Sequence, residues 1–329
     1  VATLADDYLR KHALKFKRSA AEDERILDVE VLPRWRNRSV RELTRRDVRA
    51  LIDGIAGRAP VMANRVLAMV RKMLNFAVDH DWIEANPAAR VNKPAPEHSR
   101  DRVLSEEEIQ RLWRVLSRLP TTADRPAPGR KRKRGTKDDP LCPISEPLAA
   151  LLKVRFMTAQ RGGEVTRMRW VDVDLEGGWW TIPAEHTKNG QPHRVPLTAD
   201  AVELIRAQKP AAGEDETDHV FAGSGGATVL HRAKKAPSEI ARVLNINFRG
   251  HDLRRTGATF MAAAGIPREH IGHVLNHVEG GARATRVYDR YAYDGEKRIA
   301  LETWGRKLKS ILEAADAPPA VLPFAAKRR

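Results

Sequence analysis

The sequence predicts a mainly α protein with a small β-sheet, an α+β chain in which a helical domain precedes a larger mixed one. Three observations predict it. Apolar residues recur at three- and four-residue spacing through most of residues 3–90, the signature of amphipathic helices. A polar, proline-rich connector, Lys93-Pro94-Ala95-Pro96-Glu97-His98-Ser99-Arg100, interrupts that pattern. Beyond it, Trp179-Trp180-Thr181-Ile182-Pro183 and Arg194-Val195-Pro196-Leu197 read as strands on either side of an Asn189-Gly190 turn. The boundaries that follow are a helical domain at 1–92, a linker at 93–103, a mixed domain at 104–316 and a tail at 317–329.

Taken in order, Ser19 with Glu22 and Thr44 with Asp47 read as helix starts, a hydroxyl taking an orphan amide and an acid facing the positive helix end. The Thr44 helix carries Val48, Leu51, Ile52 and Ile55 on one face and closes at Gly57 and Pro60. A longer helix follows through Val66, Met69, Val70, Met73, Leu74 and Ala77, with a stop expected near Asn86-Pro87. Basic residues interleave these apolar positions, among them Arg10, Lys11, Lys15, Lys17, Arg45, Arg46, Arg65, Arg71 and Lys72. After the linker, Ser105 and Glu108 cap a helix through Ile109, Leu112, Trp113 and Leu116. Residues 120–147 lack apolar periodicity and hold Arg130-Lys131-Arg132-Lys133-Arg134, an exposed basic loop suited to solvent or to phosphates. A buried helix is expected from Glu146 to Met157, and further helices over Leu197–Gln208, Pro237–Leu244 and Asp294–Glu313. The glycines from Gly223 to Gly226 lack the spacing of a nucleotide cradle and read as a loop.

Composition narrows the partner. The 329 residues exceed what one compact core usually holds, and 42% hydrophobic content suffices for two. A formal charge of +16 implies a polyanion. No apolar run approaches the roughly 20 residues that span a bilayer, and no secretory leader opens the chain, so nucleic acid is favoured over a membrane. The single cysteine, Cys142, allows neither an internal disulfide nor a cysteine-rich metal site and fits a reducing cytoplasm. The chain opens at Val1 rather than methionine, which leaves room for a preceding segment.

The chemistry concentrates in residues 250–293. Gly250-His251-Asp252-Leu253-Arg254-Arg255-Thr256-Gly257 places His251 and Arg254 one turn apart, on one helix face and able to meet one anion. Phosphate fits best, because a guanidinium fork matches two phosphate oxygens and an imidazole moves a proton near neutral pH. Ile271-Gly272-His273-Val274-Leu275-Asn276-His277 and Thr285-Arg286-Val287-Tyr288-Asp289-Arg290 follow, and upstream stand Thr158-Ala159-Gln160-Arg161-Gly162-Gly163-Glu164-Val165 and Thr187-Lys188-Asn189-Gly190. In this order and spacing these boxes resemble the tyrosine recombinases, the phage-integrase family. Asn276 stands where the family usually has glycine.

The resemblance implies a core-binding domain that clamps duplex DNA, joined to a tyrosine-recombinase catalytic domain. It implies that Arg161 and Arg254 grip the non-bridging oxygens of the scissile phosphate, with Glu164 orienting side chains. Lys188 then protonates the leaving 5′ oxygen, His251 assists proton transfer, His277 hydrogen-bonds the phosphate, and Tyr288 is the nucleophile. A tyrosine needs such help: its pKa near 10 makes ionisation at pH 7 cost roughly 4 kcal/mol. On this reading no metal and no cofactor is required. DNA contacts are expected from Lys15, Lys17, Arg45, Arg46, Arg65, Lys72, Arg130, Lys131 and Arg132. The resemblance further implies recombination sites on double-stranded DNA, a homotetramer in the synaptic complex with a monomer when free, accessory DNA-bending or directionality factors, and a cytoplasmic, nucleoid-associated protein of bacterial or phage origin.

Competing assignments are few. His273 competes with His277, and Tyr291 and Tyr293 with Tyr288; the flanking residues favour His277 and Tyr288. His270, His273 and His277 share metal-ligand spacing, and Asp172, Asp174 and Glu176 resemble a nuclease carboxylate cluster, but either reading makes the other boxes coincidental. A non-enzymatic DNA-binding protein and a type IB topoisomerase are the alternatives in function.

Overall fold

Residues 1–97, 99–120, 140–210, 217–223, 229–277 and 291–316 are described by the computed structural model. The chain divides into two compact units, Val1–Arg100 and Asp101–Arg329, each with its own buried apolar cluster. The architecture is mainly helical with one small sheet, as the sequence predicts.

In the first unit, α1 (Ala2–Tyr8) runs on through a π turn, Leu9–Ala13, into Leu14–Phe16, and is followed by α2 (Ala20–Ile26), α3 (Arg45–Ala56) and α4 (Pro60–Asp79). Leu51, Ile52 and Ile55 of α3 and Leu67, Met73 and Leu74 of α4 are buried in one cluster with Leu4 and Tyr8. The Thr44 cap forms as expected: Asp47 N–H donates to Thr44 Oγ1 at 3.3 Å, and Thr44 N–H donates to Asp47 Oδ2 at 2.9 Å. Arg38, with Thr44, holds the Asp47 carboxyl well below the usual carboxylate range. Ser19 makes no capping bond, because its backbone (φ −99°, ψ 20°) lies outside the extended region a cap requires. Helix α4 takes Pro60 in its first turn, where the missing N–H costs nothing. It ends at Asp79 rather than near Asn86-Pro87; Asn86 instead binds the Arg71 carbonyl (3.0 Å) and the Ala88 amide (2.7 Å), so it shapes a turn.

The second unit begins with α5 (Glu106–Ser117), on the expected Ser105–Glu108 cap, and α6 (Glu146–Thr158), whose Leu148, Leu151, Leu152, Val154 and Phe156 are buried. Helix α7 (Gly162–Thr166) precedes an antiparallel sheet of β1 (Val173–Asp174), β2 (Trp179–Ile182) and β3 (His193–Pro196), in that order, with Trp180 opposite Val195 and Ile182 opposite His193. Strand β1 was not expected. It incorporates Asp174 of the acidic run, while Arg169 binds Asp172 at 2.9 Å and Arg206 binds Glu176 at 3.3 Å. These carboxylates therefore serve local turns and ion pairs.

Helices α8 (Ala199–Arg206), α9 (Leu230–Leu244), α10 (Gly250–Ala263), α11 (Arg268–Val274) and α12 (Asp294–Asp316) complete the unit. Helix α9 starts well before the expected Pro237, which sits in its interior. Ala233, Ala236, Ile240 and Leu244 bury one continuous stripe, and that burial outweighs the bond the proline removes. Helix α12 buries Trp304, Leu308 and Ile311 and anchors them through Trp304 Nε1–H to the Phe156 carbonyl at 3.0 Å.

Candidate active site

Two backbone irregularities build the floor of the site. Helix α6 ends at Ala159 in the left-handed region (φ 54°), which turns the chain sharply before Arg161. Beyond α11, Asn276 is also left-handed (φ 47°). Asparagine is among the non-glycine residues that tolerate this conformation, which accounts for its presence where the family pattern has glycine.

Arg254, 3% exposed, spans these two turns: Nη1 donates to the Ala159 carbonyl at 2.9 Å and Nη2 to the Leu275 carbonyl. Burial, then Arg161, lowers its pKa to about 10, which leaves it charged at neutral pH. Gln160 reinforces the junction, its amide nitrogen donating to the Thr158 and Val274 carbonyls at 2.9 Å each. Arg161 stands at the start of α7 and is paired with buried Glu164: Nη1 reaches Oε1 at 2.9 Å, and the Arg161 amide donates to Oε2 at 3.0 Å. One carboxylate thus fixes both the backbone and the head of this arginine.

His251 lies in the first turn of α10, and His277 follows the Asn276 turn with its amide bound to the Gly272 carbonyl at 3.0 Å. Both imidazoles are held below the usual histidine range. Desolvation is the largest cause for each; Arg255 and Arg254 add to it at His251, and Arg254, Arg161, His251 and Lys188 at His277. Lys188 is exposed in the loop between β2 and β3. That loop is tied down by buried Thr187, whose hydroxyl reaches the Ala184 and Gln191 carbonyls (3.0 and 2.8 Å), and by Asn189, whose Nδ2 donates to Asn276 Oδ1 at 2.7 Å. His277 therefore feels Arg161, Lys188, and the His251 and Arg254 of α10, which come from three separate segments of the chain.

Tyr288, like Arg130, Lys131 and Arg132, lies outside the described residues. Of the competing residues, His273 stacks on Tyr293 with ring centroids 3.7 Å apart. Lys15, Arg45, Arg46, Arg65 and Lys72 are exposed on the helical unit, whereas Lys17 is drawn into an ion pair with Asp23.

Three contributors escaped the sequence reading. Gln160 and Asn276 sit inside the quoted boxes, yet nothing in their spacing tells that one ties two turns and the other tethers the lysine loop. His193 is 6% exposed and pushed down to about 3 by burial and by Lys297; its Nε2 lies 3.1 Å from the Val274 carbonyl, so a neutral ring braces the same turn from the sheet.

Two fixed arginines, two histidines held below their usual range and a lysine on a loop are thus brought within electrostatic reach of one another. This fold and site define the tyrosine recombinases, enzymes of site-specific DNA recombination. The sequence matches the description "Phage integrase family" over residues 136–293 and "Phage integrase central domain" over residues 1–94, and the chain belongs to the phage integrase family. It is 25% identical over 325 residues to prophage integrase IntZ of Escherichia coli K12, covering 96% of this chain and 72% of that one. It is 29% identical over 235 residues to tyrosine recombinase XerC of Xanthomonas campestris, covering 70% and 64%. The fold resembles a lambda integrase (75–356) dimer bound to a COC′ core site (TM-score 0.64, 16% identity, 84% of this chain and 94% of that one). It also resembles the Tn1549 transposon integrase in complex with circular-intermediate DNA (TM-score 0.59, 12% identity, 91% and 97%).

Proposed function

We propose that this chain cuts and rejoins DNA strands through a 3′-phosphotyrosine on Tyr288, integrating or excising a mobile element. The observation that carries the proposal is that Arg254 of α10 binds the carbonyls of Ala159 and Leu275, next to Arg161 and His277, while Asn189 of the Lys188 loop binds Asn276. In the proposed reaction, Arg161 and Arg254 hold the two non-bridging oxygens and offset the charge that gathers on the pentavalent phosphorus. Their fixed partners mean that little reorganisation is needed as that charge develops. His251, neutral at pH 7, accepts the phenol proton as the tyrosine oxygen bonds to phosphorus, and Lys188 gives a proton to the departing 5′ oxygen. His277 donates a hydrogen bond to the phosphate, and Glu164 orients Arg161. Reversal by a 5′ hydroxyl from another strand restores the diester and Tyr288, so no external energy source is consumed.

The helical unit supplies non-specific phosphate contacts through Lys15, Arg45, Arg46, Arg65 and Lys72. Lys17 would have to leave Asp23 to join them. The segment holding Arg130, Lys131 and Arg132 contributes in the same manner. The functional assembly is a tetramer on DNA, a reading supported by the similar fold of a lambda integrase tetramer bound to a Holliday junction. Accessory DNA-bending proteins would set direction. Among the described residues no helix is long and apolar enough to cross a membrane, and action on chromosomal DNA implies a cytoplasmic setting.

The test is a nicked attachment-site duplex, whose cut end cannot be religated. Incubation should give a protein–DNA adduct that resists detergent and forms equally in EDTA. DNA binding without any adduct would leave only a DNA-binding protein, and an adduct that disappears with chelator would require a different chemistry.

A further inference from the structure

Arg155 is a buried cation that the reaction above does not use. It projects from α6 and is 8% exposed; its Nε has no hydrogen-bond partner, and among the described residues no carboxylate pairs with it. Burial alone lowers its pKa, to about 10, so it keeps its charge at neutral pH. Leaving a buried charge uncompensated is strongly destabilising, and the protein has made room for it. A Cβ on Gly250 would lie 2.2 Å from Arg155 Nη1, and one on Gly162 would lie 2.7 Å from it. The guanidinium thus lies directly against the backbone of both glycines, where any side chain would displace it. Gly250 opens α10, a helix of 14 residues whose N-terminal end adds positive potential at the same point. Around the guanidinium is a cavity of about 300 Å³ with Leu151 at its base and Gly163, Arg167, Lys234 and His251 at its rim. The four rim residues are exposed.

An unpaired guanidinium, a helix N-terminus and two basic rim side chains converge on an open cavity, and the demand there is for an anion. We propose that this cavity is a second phosphate site, which takes a backbone phosphate of bound duplex DNA flanking the one held by Arg161 and Arg254. The inference rests on the DNA-joining function proposed above, because His251 belongs to both bays and one strand would occupy them together. It gives Arg155 a binding role distinct from the reacting phosphate: neutralisation on binding would draw His251 and the strand into register.

The test uses the full chain and a 30-bp duplex of arbitrary sequence, titrated across a range of salt. Arg155→Met should weaken binding about tenfold and flatten the dependence of log K on log salt by about one phosphate equivalent. Arg155→Lys should recover part of both. The unfolding temperature of Arg155→Met should not fall, since it removes an unpaired charge while keeping apolar bulk; a purely structural arginine predicts the reverse, a less stable variant with an unchanged slope. Lys234→Gln, exposed and outside the catalytic set, provides a second reading should Arg155→Met fold poorly, and it too should reduce the slope. Wild-type slopes in both variants would overturn the second site while leaving the recombinase function intact. Failure of the wild-type chain itself to bind duplex would remove the proposed function, and this site with it.

Discussion

The two units use positive charge in opposite ways. In Val1–Arg100 the cations stand on helix surfaces; Arg45, Arg46, Arg65 and Lys72 are exposed, and several others make exposed ion pairs such as Arg25 with Glu22. In the second unit the cations proposed for the reaction are fixed by specific acceptors: buried Arg254 by two carbonyls, half-buried Arg161 by one buried carboxylate. Surface cations are mobile, screened by salt and individually worth little. Cations fixed in a desolvated bay act at full strength on developing charge and are not interchangeable. The lesson is that the first unit should tolerate single losses, while the second should fail at one.

The largest break in that contrast is expected at the nucleophile. Tyr288→Phe should abolish the detergent-resistant adduct while leaving duplex affinity at the wild-type value in a gel-shift titration; an undiminished adduct would pass the role to Tyr291 or Tyr293. Next comes Arg254→Ala, which should slow adduct formation by about 10³-fold. Arg254→Lys should recover little, because an ammonium cannot reach both the Ala159 and Leu275 carbonyls and still present a fork to phosphate.

The histidines sharpen the contrast through pH. His251 and His277 are both held below the ordinary value of 6.5, so they are neutral at pH 7 and become protonated only in more acid solution. The adduct-formation rate should therefore hold from neutrality down through pH 6.5 and fall below it, and a loss centred above pH 7 would contradict the environment described. His193 makes the same argument for stability. Its folded pKa of about 3 lies below 6.5, so between those values the unfolded chain binds the extra proton. Stability is thus complete above pH 6.5 and falls toward pH 3, by about 1.4 kcal/mol for each pH unit from this group alone. Denaturant titrations of His193→Gln should show a shallower decline.

The smallest effects should come from the tether and from the helical unit. Asn276→Gly preserves the left-handed turn but cuts the bond to Asn189, and should slow adduct formation about fivefold with no loss of stability. Arg45→Ala should lower duplex affinity only severalfold and reduce the salt slope by about one. An effect on the adduct rate as large as that of Arg254→Ala would erase the distinction between the units.

Much of this was legible in the chain itself. Patterned apolar residues identify α3, α4 and α5, because an amphipathic helix writes its buried face at fixed spacing and the Thr44 and Ser105 caps are local. The boxes around Arg161, Lys188, His251, Arg254 and His277 stood out by the order and spacing that resemble the family, and the structure brings them into one unit. Four expectations failed on details that the local pattern does not carry, one being the end of α4, which falls at Asp79. Pro237 lies inside α9 since the stripe from Ala233 to Leu244 is buried, Ser19 fails to cap, and β1 exists because Val173 and Asp174 pair with Trp180 and Trp179.

The sequence by itself determined the residue types, their order and the family to which they belong, because covalent neighbours and helical period are properties of the chain alone. Only the tertiary structure decided what each cation leans on. The carbonyls that hold Arg254 belong to Ala159 and Leu275, 95 and 21 positions away, and the glycines that admit Arg155 open two different helices. Partners so distant along the chain are chosen by packing, which no local pattern encodes, and packing also sets the burial that keeps His193 neutral and leaves Arg155 without a counter-ion among the described residues.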